Sequence, residues 1–251
     1  MNCIKRLKKN VKKLPEPLRR IISQVYNARA SRIIVDKDMV FHLMDYFNLP
    51  KKEILWLLKS AQRLDADCWR FLNPKTSEEI ENFYKTTFFY IFDLAHWHMA
   101  KSQINFRNFV VQTCEGRVLD FGAGIGDLCI NLTKRGLKVD YLEIPGKISE
   151  FAKWLFKKKN LNIEIVDLND LSQKYDTILC IDVIEHVINP QKTLEILVSH
   201  LNGGGKLIVT NLNINDSDTH PMHSKLNLND DRFLNLLGLY RTKEDWLFIK
   251  K

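Results

Sequence analysis

The stretch Arg117-Val118-Leu119-Asp120-Phe121-Gly122-Ala123-Gly124-Ile125-Gly126-Asp127-Leu128 decides how this chain folds. A short apolar run ends in an acid, three glycines follow at alternate positions, and a helix-forming apolar run comes next. That order reads as strand, tight loop, helix, the arrangement in which a nucleotide lies against backbone amides. Glycine suits such a loop because it tolerates positive φ and, lacking a Cβ, lets a ligand approach the main chain. The spacing narrows the ligand. A dinucleotide fingerprint reads G-x-G-x-x-G, whereas here it is G-x-G-x-G with Asp120 two residues ahead.

Outward from the loop, the elements arrive at the distances of a doubly wound unit. Leu128 to Arg135 predicts a helix ended by Gly136, and Leu137 to Glu143 predicts a second strand with Glu143 at its C-terminal end. An acid roughly 20 residues past the loop, at a strand end, is placed to accept both ribose hydroxyls. Glu143 is therefore the expected ribose ligand. A helix over Ile148 to Lys158 and a third strand over Asn162 to Leu168 follow. A fourth strand opens at Tyr175 and runs into Asp182-Val183-Ile184-Glu185-His186. A helix over Pro190 to Leu201, stopped by Asn202-Gly203-Gly204-Gly205, precedes a fifth strand over Lys206 to Thr210. A last helix covers Asp230 to Gly238, and Trp246 to Ile249 is a closing strand. The alternation implies an α/β fold, Rossmann-like and doubly wound, with a mostly parallel sheet and ligands outside the strands' C-terminal ends.

The loop, the acids at the strand ends and the fourth-strand segment resemble the class I S-adenosylmethionine-dependent methyltransferases. The resemblance covers about Cys114 to the C-terminus, and it is nearest to the ubiquinone-biosynthesis O-methyltransferase-like group of small-molecule methyltransferases. In that family the glycine loop passes under the methionine part of S-adenosylmethionine, whose ammonium and sulfonium charges suit Asp120, whereas a pyrophosphate would be repelled there. The resemblance implies cofactor contacts at Asp120, Phe121, Gly122, Ala123, Gly124 and Gly126, at Glu143 and Ile144, and at Leu168 and Ile181. It places Asp167 beside the adenine amino group.

Methyl transfer from an activated donor leaves the protein to orient the acceptor, handle its proton and exclude water. Glu185-His186 lies just after the fourth strand, at the expected cleft mouth. His220 and His223 sit in His220-Pro221-Met222-His223 beyond the fifth strand. Histidine changes charge near neutrality, so His186, His223 and His220, with Glu185, are the catalytic candidates. The plainer roles are loop anchoring for His186 and solvation for the other two. Asp182, Glu185 and His186 resemble the acidic-x-x-Glu-His segment that the ubiquinone-biosynthesis enzymes associate with a divalent cation. The same string occurs in many metal-free methyltransferases, so no metal is expected. His96 and His98, two apart on a helix, cannot both face the cleft.

Residues 1–113 read as a helical cap over the cofactor cleft that excludes water and shapes the acceptor site, and 114–251 as the cofactor-binding domain. Apolar spacing predicts helices over Asp38 to Phe47 and Lys51 to Leu64. A long helix capped at Thr76 or Ser77 runs to about Lys101, with Ile80, Phe83, Tyr84, Thr87, Phe88, Ile91, Leu94 and Ala95 as its core stripe. The first 20 residues hold eight basic residues against Glu16 alone and so carry seven of the eight net positive charges. Ile4, Leu7, Val11 and Leu14 give this leader an apolar stripe, suited to an acidic membrane surface, to RNA phosphates, or to packing on the protein itself. Pro15 and Pro17 shorten the helix and favour packing.

Five scattered cysteines make no disulfide framework and point to a reducing cytoplasm. No stretch approaches the ~20 apolar residues that span a bilayer, and the N-terminus lacks a signal peptide's apolar region. The expected partner is a small-molecule acceptor. A nucleic-acid methyltransferase is disfavoured because the chain beyond Arg20 is nearly neutral and no Asn/Asp-Pro-Pro-aromatic segment follows the fourth strand. A catalytically silent cofactor-binding scaffold would carry the same intact glycine loop.

Overall fold

The computed structural model describes residues 32–214 and 221–251, so the basic leader and His220 lie outside the described residues. Helices α1 (Lys37–Phe47), α2 (Lys51–Leu72), α3 (Ser77–Thr86), α4 (Phe89–His98) and α5 (Lys101–Thr113) form the cap. Local chemistry sets their ends. The Asp36 carboxylate accepts from the amides of Asp38 and Met39 to start α1, and Asn48 closes it in the left-handed region. Thr76 and Glu79 exchange side-chain and backbone bonds in a capping box that starts α3.

Two expectations for the cap are corrected. α2 runs two turns beyond Leu64, to Asn73 in the left-handed region before Pro74. The single helix from Thr76 to about Lys101 is instead two, because Thr87 is extended and its hydroxyl donates to buried Asp65 at 2.8 Å. A second break at Ala100 separates α4 from α5, where Ala100 bridges to Ile33. The apolar spacing continues across the break at Thr87 and so conceals it, and α5 has no counterpart among the helices read from the sequence.

The sheet holds β1 (Arg117–Phe121), β2 (Lys138–Leu142), β3 (Glu164–Ile165), β4 (Tyr175–Cys180), β5 (Leu201–Val209), β8 (Leu239–Arg241) and β9 (Leu247–Lys250), in the order β3-β2-β1-β4-β5-β9-β8. Pairings from β3 to β5 are parallel, and β9 runs antiparallel to both its neighbours. A hairpin of β6 (Asn213–Ile214) and β7 (Leu226–Asn227) stands apart. Val118 to Phe121 are all buried, as befits a central strand covered on both faces. Helices α6 (Asp127–Lys134), α7 (Lys147–Lys158), α8 (Pro190–Ser199) and α9 (Asp231–Leu236) complete the α/β wind. Strand order reverses between β1 and β4, which opens a crevice at their C-terminal ends.

The third strand is only two exposed residues, and the Gly203-Gly204-Gly205 run lies inside β5 rather than ahead of it. There the β4–β5 register slips between Tyr175 and Thr177. β6, β7 and β8 have no counterpart among the elements read from the sequence. Among the described residues, no helix is long and apolar enough to cross a membrane.

The halves that the sequence divides at Cys114 share one core. Val40, Leu43, Ile54 and Phe92 of the cap cluster with Ile125, Phe151 and Leu155 of the nucleotide unit. Gly126 belongs to this packing. At φ +73 it starts α6, and a Cβ there would lie 2.4 Å from Cζ of Phe156, itself buried against Tyr141. Gly126→Ala should therefore cost about 2–4 kcal/mol, combining left-handed strain with overpacking. Chemical denaturation measures this, and a loss under about 0.5 kcal/mol, the size of an ordinary surface change, would refute it.

Candidate active site

A cavity of about 370 Å³ occupies the crevice, roofed by α3 and α4. Its floor is the glycine loop, which is pinned to the end of β2. The amides of Gly122 and Ala123 donate to the Leu142 carbonyl at 2.9 and 3.1 Å, and the Tyr141 hydroxyl donates to the Gly124 carbonyl at 2.8 Å. The Glu143 carboxylate accepts from Gly124 N–H at 2.7 Å and from Ile144 N–H at 2.8 Å. Burial pushes its pKa up, and the two amides offset part of that.

Asp120, Phe121, Gly122, Ala123, Gly124, Glu143, Ile144, Leu168 and Ile181 all line the cavity. Gly126 and Asp167 do not. Gly126 serves the packing of α6 on Phe156. The exposed Asp167 turns its carboxylate to the backbone and side-chain nitrogens of Asn169, at 2.8 and 3.1 Å, capping a short 3₁₀ turn. Asp120 is buried, accepts from the Cys129 thiol at 3.2 Å, and is pushed up to about 7 by burial. Asp127, the first residue of α6, behaves oppositely. Burial opposes its ionisation, but Arg107 and His98 beside it hold the carboxyl well below the usual range. The Arg107 Nε–Oδ2 distance is 2.9 Å, and His98 Nδ1 stands 3.2 Å from Oδ1.

Beside the loop after β4, His186 lines the cavity between two tyrosines of the cap. Tyr84 Oη lies 2.8 Å from Nδ1, Tyr90 Oη lies 3.5 Å from Nε2, and the ring of His223 stands 4.7 Å from that of His186. Burial pushes both phenols far up, so they stay protonated. Glu185 is buried behind this wall, hydrogen-bonded to the Asn211 side chain, and pushed up to about 8 by burial and by Asp182. The Ser224 amide donates to the Glu185 carbonyl at 2.8 Å and fastens the His223 segment to the loop after β4.

Glu185, His186 and His223 bring one donor atom each within 4.8 Å of one another, a set compatible with a cation. It differs from the set read in the sequence. Asp182, at φ +56, gives Oδ1 to Thr210 and Asn211 at 3.0 Å each and Oδ2 to the Trp97 indole at 3.2 Å. Of the cap histidines, His98 reaches the cavity and His96 does not line it.

Tyr90 and Arg107 line the cavity, and Trp97 and Asn211 bond the acids beside it, none of which the sequence revealed, while Tyr84 read as core. Arg107 left one trace, a cation set between Phe106 and Phe109 on α5. The tyrosines left none, because a tyrosine facing a cavity and one filling a core share the same helical spacing.

A family model described as a methyltransferase domain matches residues 94–242, more than half of the chain. An enzyme named ubiquinone biosynthesis O-methyltransferase from Coxiella burnetii (strain RSA 493 / Nine Mile phase I) is 32% identical over 109 residues, which cover 41% of this chain and 47% of that one. Its namesake from Rickettsia akari (strain Hartford) is 30% identical over 100 residues, covering 38% and 40%. The match thus spans less than half the length of either relative. Among solved structures, the StiE O-MT domain aligns at 22% identity over 60% of this chain and 56% of that one, with a TM-score of 0.48.

One acid near the site gives a test of its electrostatics. Asp65, fully buried under α3 and α4, is pushed up to about 8 by burial, partly offset by Thr87. A raised acid binds its proton more tightly when folded. Its contribution is therefore complete below the unfolded value near 4 and is lost as pH rises through about 8. Asp65→Asn keeps the neutral shape, so its melting temperature should gain on the wild type between pH 5 and pH 8, by about 1–3 kcal/mol of stability. Melting curves at both pH values check this, and a gap that stays constant or narrows would contradict it.

Proposed function

The chain belongs to the methyltransferase-domain family, for which S-adenosylmethionine is the cosubstrate, and from that premise we propose that it methylates the oxygen of a small-molecule acceptor held between His186 and the cap. The observation that carries the cofactor side is the pair of acids on the cavity wall. Asp120 and Glu143 are held by neutral donors, a thiol and two amides, so they suit a ligand with positive charge and hydroxyls and oppose a pyrophosphate.

When bound, the cosubstrate supplies an electrophilic methyl group. Glu143 would receive the ribose hydroxyls, Asp120 would face the charged amino-acid end, and the backbone at Gly122 and Gly124 would allow close approach. His186 would take the acceptor's proton at a ring nitrogen, with Tyr84, Tyr90 and His223 fixing its surroundings. The cap, through Ile80, Tyr84, Tyr90 and Leu94, would keep water from the reacting groups. His220 remains a candidate acceptor-site base outside the described residues. A peripheral membrane contact through residues 1–20 also remains a proposal, to be tested by salt-dependent sedimentation with anionic vesicles.

S-adenosylhomocysteine should bind in a calorimetric titration and NAD should not. Glu143→Ala should weaken that binding by about 1–3 kcal/mol, the range for losing a hydrogen bond to a charged group, with the melting temperature retained. NAD binding without S-adenosylhomocysteine binding would overturn the assignment.

The reaction is proposed to need no resident metal. Asp182 is committed to Thr210, Asn211 and Trp97, and Nδ1 of His186 is engaged by Tyr84. Elemental analysis of protein purified without chelator should find no stoichiometric divalent ion. A stoichiometric ion that is lost in His223→Ala would establish the opposite.

A further inference from the structure

His186 and Tyr84 are 102 residues apart, on the sheet's loop and on the cap, yet their polar atoms meet within hydrogen-bond distance. The Tyr84 hydroxyl lies 2.8 Å from Nδ1, within the ordinary range for a hydrogen bond. The Tyr90 hydroxyl lies 3.5 Å from Nε2, at the outer limit. Tyr84 cannot easily turn away. It is buried in a small cluster with Phe83 and Met222, and its ring is tilted against Trp69 at 6.2 Å.

A neutral imidazole has one N–H, and the bond made by one nitrogen decides which nitrogen carries it. If Tyr84 donates to Nδ1, the proton sits on Nε2 and that nitrogen cannot take another. If Tyr84 accepts from Nδ1–H, Nε2 carries the lone pair. We infer that Tyr84 is a positioning residue whose hydroxyl accepts the Nδ1–H of His186 and so fixes the tautomer able to receive the acceptor's proton at Nε2. The inference deepens the proposed function, since it rests on His186 as the proton-accepting group.

On this view the cap does more than cover the site. The sheet supplies the imidazole, and α3 decides which of its nitrogens is basic. Tyr90, at its longer distance, makes the weaker of the two contacts with the ring.

The test is nuclear magnetic resonance of protein labelled with ¹⁵N-histidine, at about pH 8.5 where an ordinary imidazole is neutral, with and without S-adenosylhomocysteine. The long-range proton–nitrogen pattern of His186 should report a single Nδ1–H tautomer in the wild type. In Tyr84→Phe, which keeps the ring and its packing, the two nitrogen shifts should move towards each other as the tautomers mix, with the melting temperature unchanged. Tyr90→Phe should retain the wild-type pattern. An Nε2–H tautomer in the wild type, or an unchanged pattern in Tyr84→Phe, would overturn the inference, and the wild-type spectrum decides even if the variant folds poorly. Failure of S-adenosylhomocysteine to bind would count against the methyltransferase reading alone, because the ligand-free spectrum still reports the tautomer.

Discussion

Everything at this site depends on a steric constraint at three alternate glycines. A Cβ at Gly122 would lie 2.5 Å from Val183, one at Gly124 would lie 3.0 Å from Leu94, and one at Gly126 would lie 2.4 Å from Phe156. Those neighbours come from the loop after β4, from the cap helix α4 and from α7. One bare stretch of backbone thus lets three elements converge, and all three glycines hold positive φ, where a side chain is strained. The loop serves as a packing hub as well as the cavity's floor, which is why one of its glycines touches no part of the cavity.

The electrostatics follow from that convergence. Packing the cap onto the loop buries Asp120, Asp127, Glu143 and Glu185 to differing degrees, and their partners separate their behaviour. Asp127 has a guanidinium and stays ionised. Asp120 and Glu185 have neutral donors, and burial pushes them up to about 7 and about 8. A ligand that brings positive charge to Asp120 would restore the ionised form there, so binding of such a ligand and the acid's ionisation are coupled.

The sequence made the nucleotide unit legible because its signals are local. Alternating glycines, an acid ending β2 and a helix-ending glycine each constrain a few neighbouring residues, and the parallel order follows from the alternation of strands and helices. The acceptor end was not legible in the same way. His186 is marked by its place after β4, but Tyr84 and Tyr90 reach it only through tertiary folding, and apolar periodicity is blind to which side of a helix faces a void. The break at Thr87 was hidden for a related reason, whereas the helix end near Lys101 was read and the helix after Ala100 was not. The buried acid binding Thr87 lies far away in sequence and outweighs local helix propensity. Asp182 illustrates the converse, since its spacing suggested a cation ligand while folding gave both oxygens to neighbours.

The hydrogen bond between Tyr84 and His186 crosses from one half of the chain to the other, and the core does the same through Phe92 and Phe151. This bears on how such a protein can be re-engineered. Cap segments exchanged between relatives to alter acceptor choice would carry with them the hydroxyl proposed to orient the imidazole, together with the cap's share of the common core. A chimera would then inherit its selectivity and its catalytic competence as one linked trait. A library that varies the cap while holding the Tyr84 hydroxyl and the Leu94 contact constant would separate them.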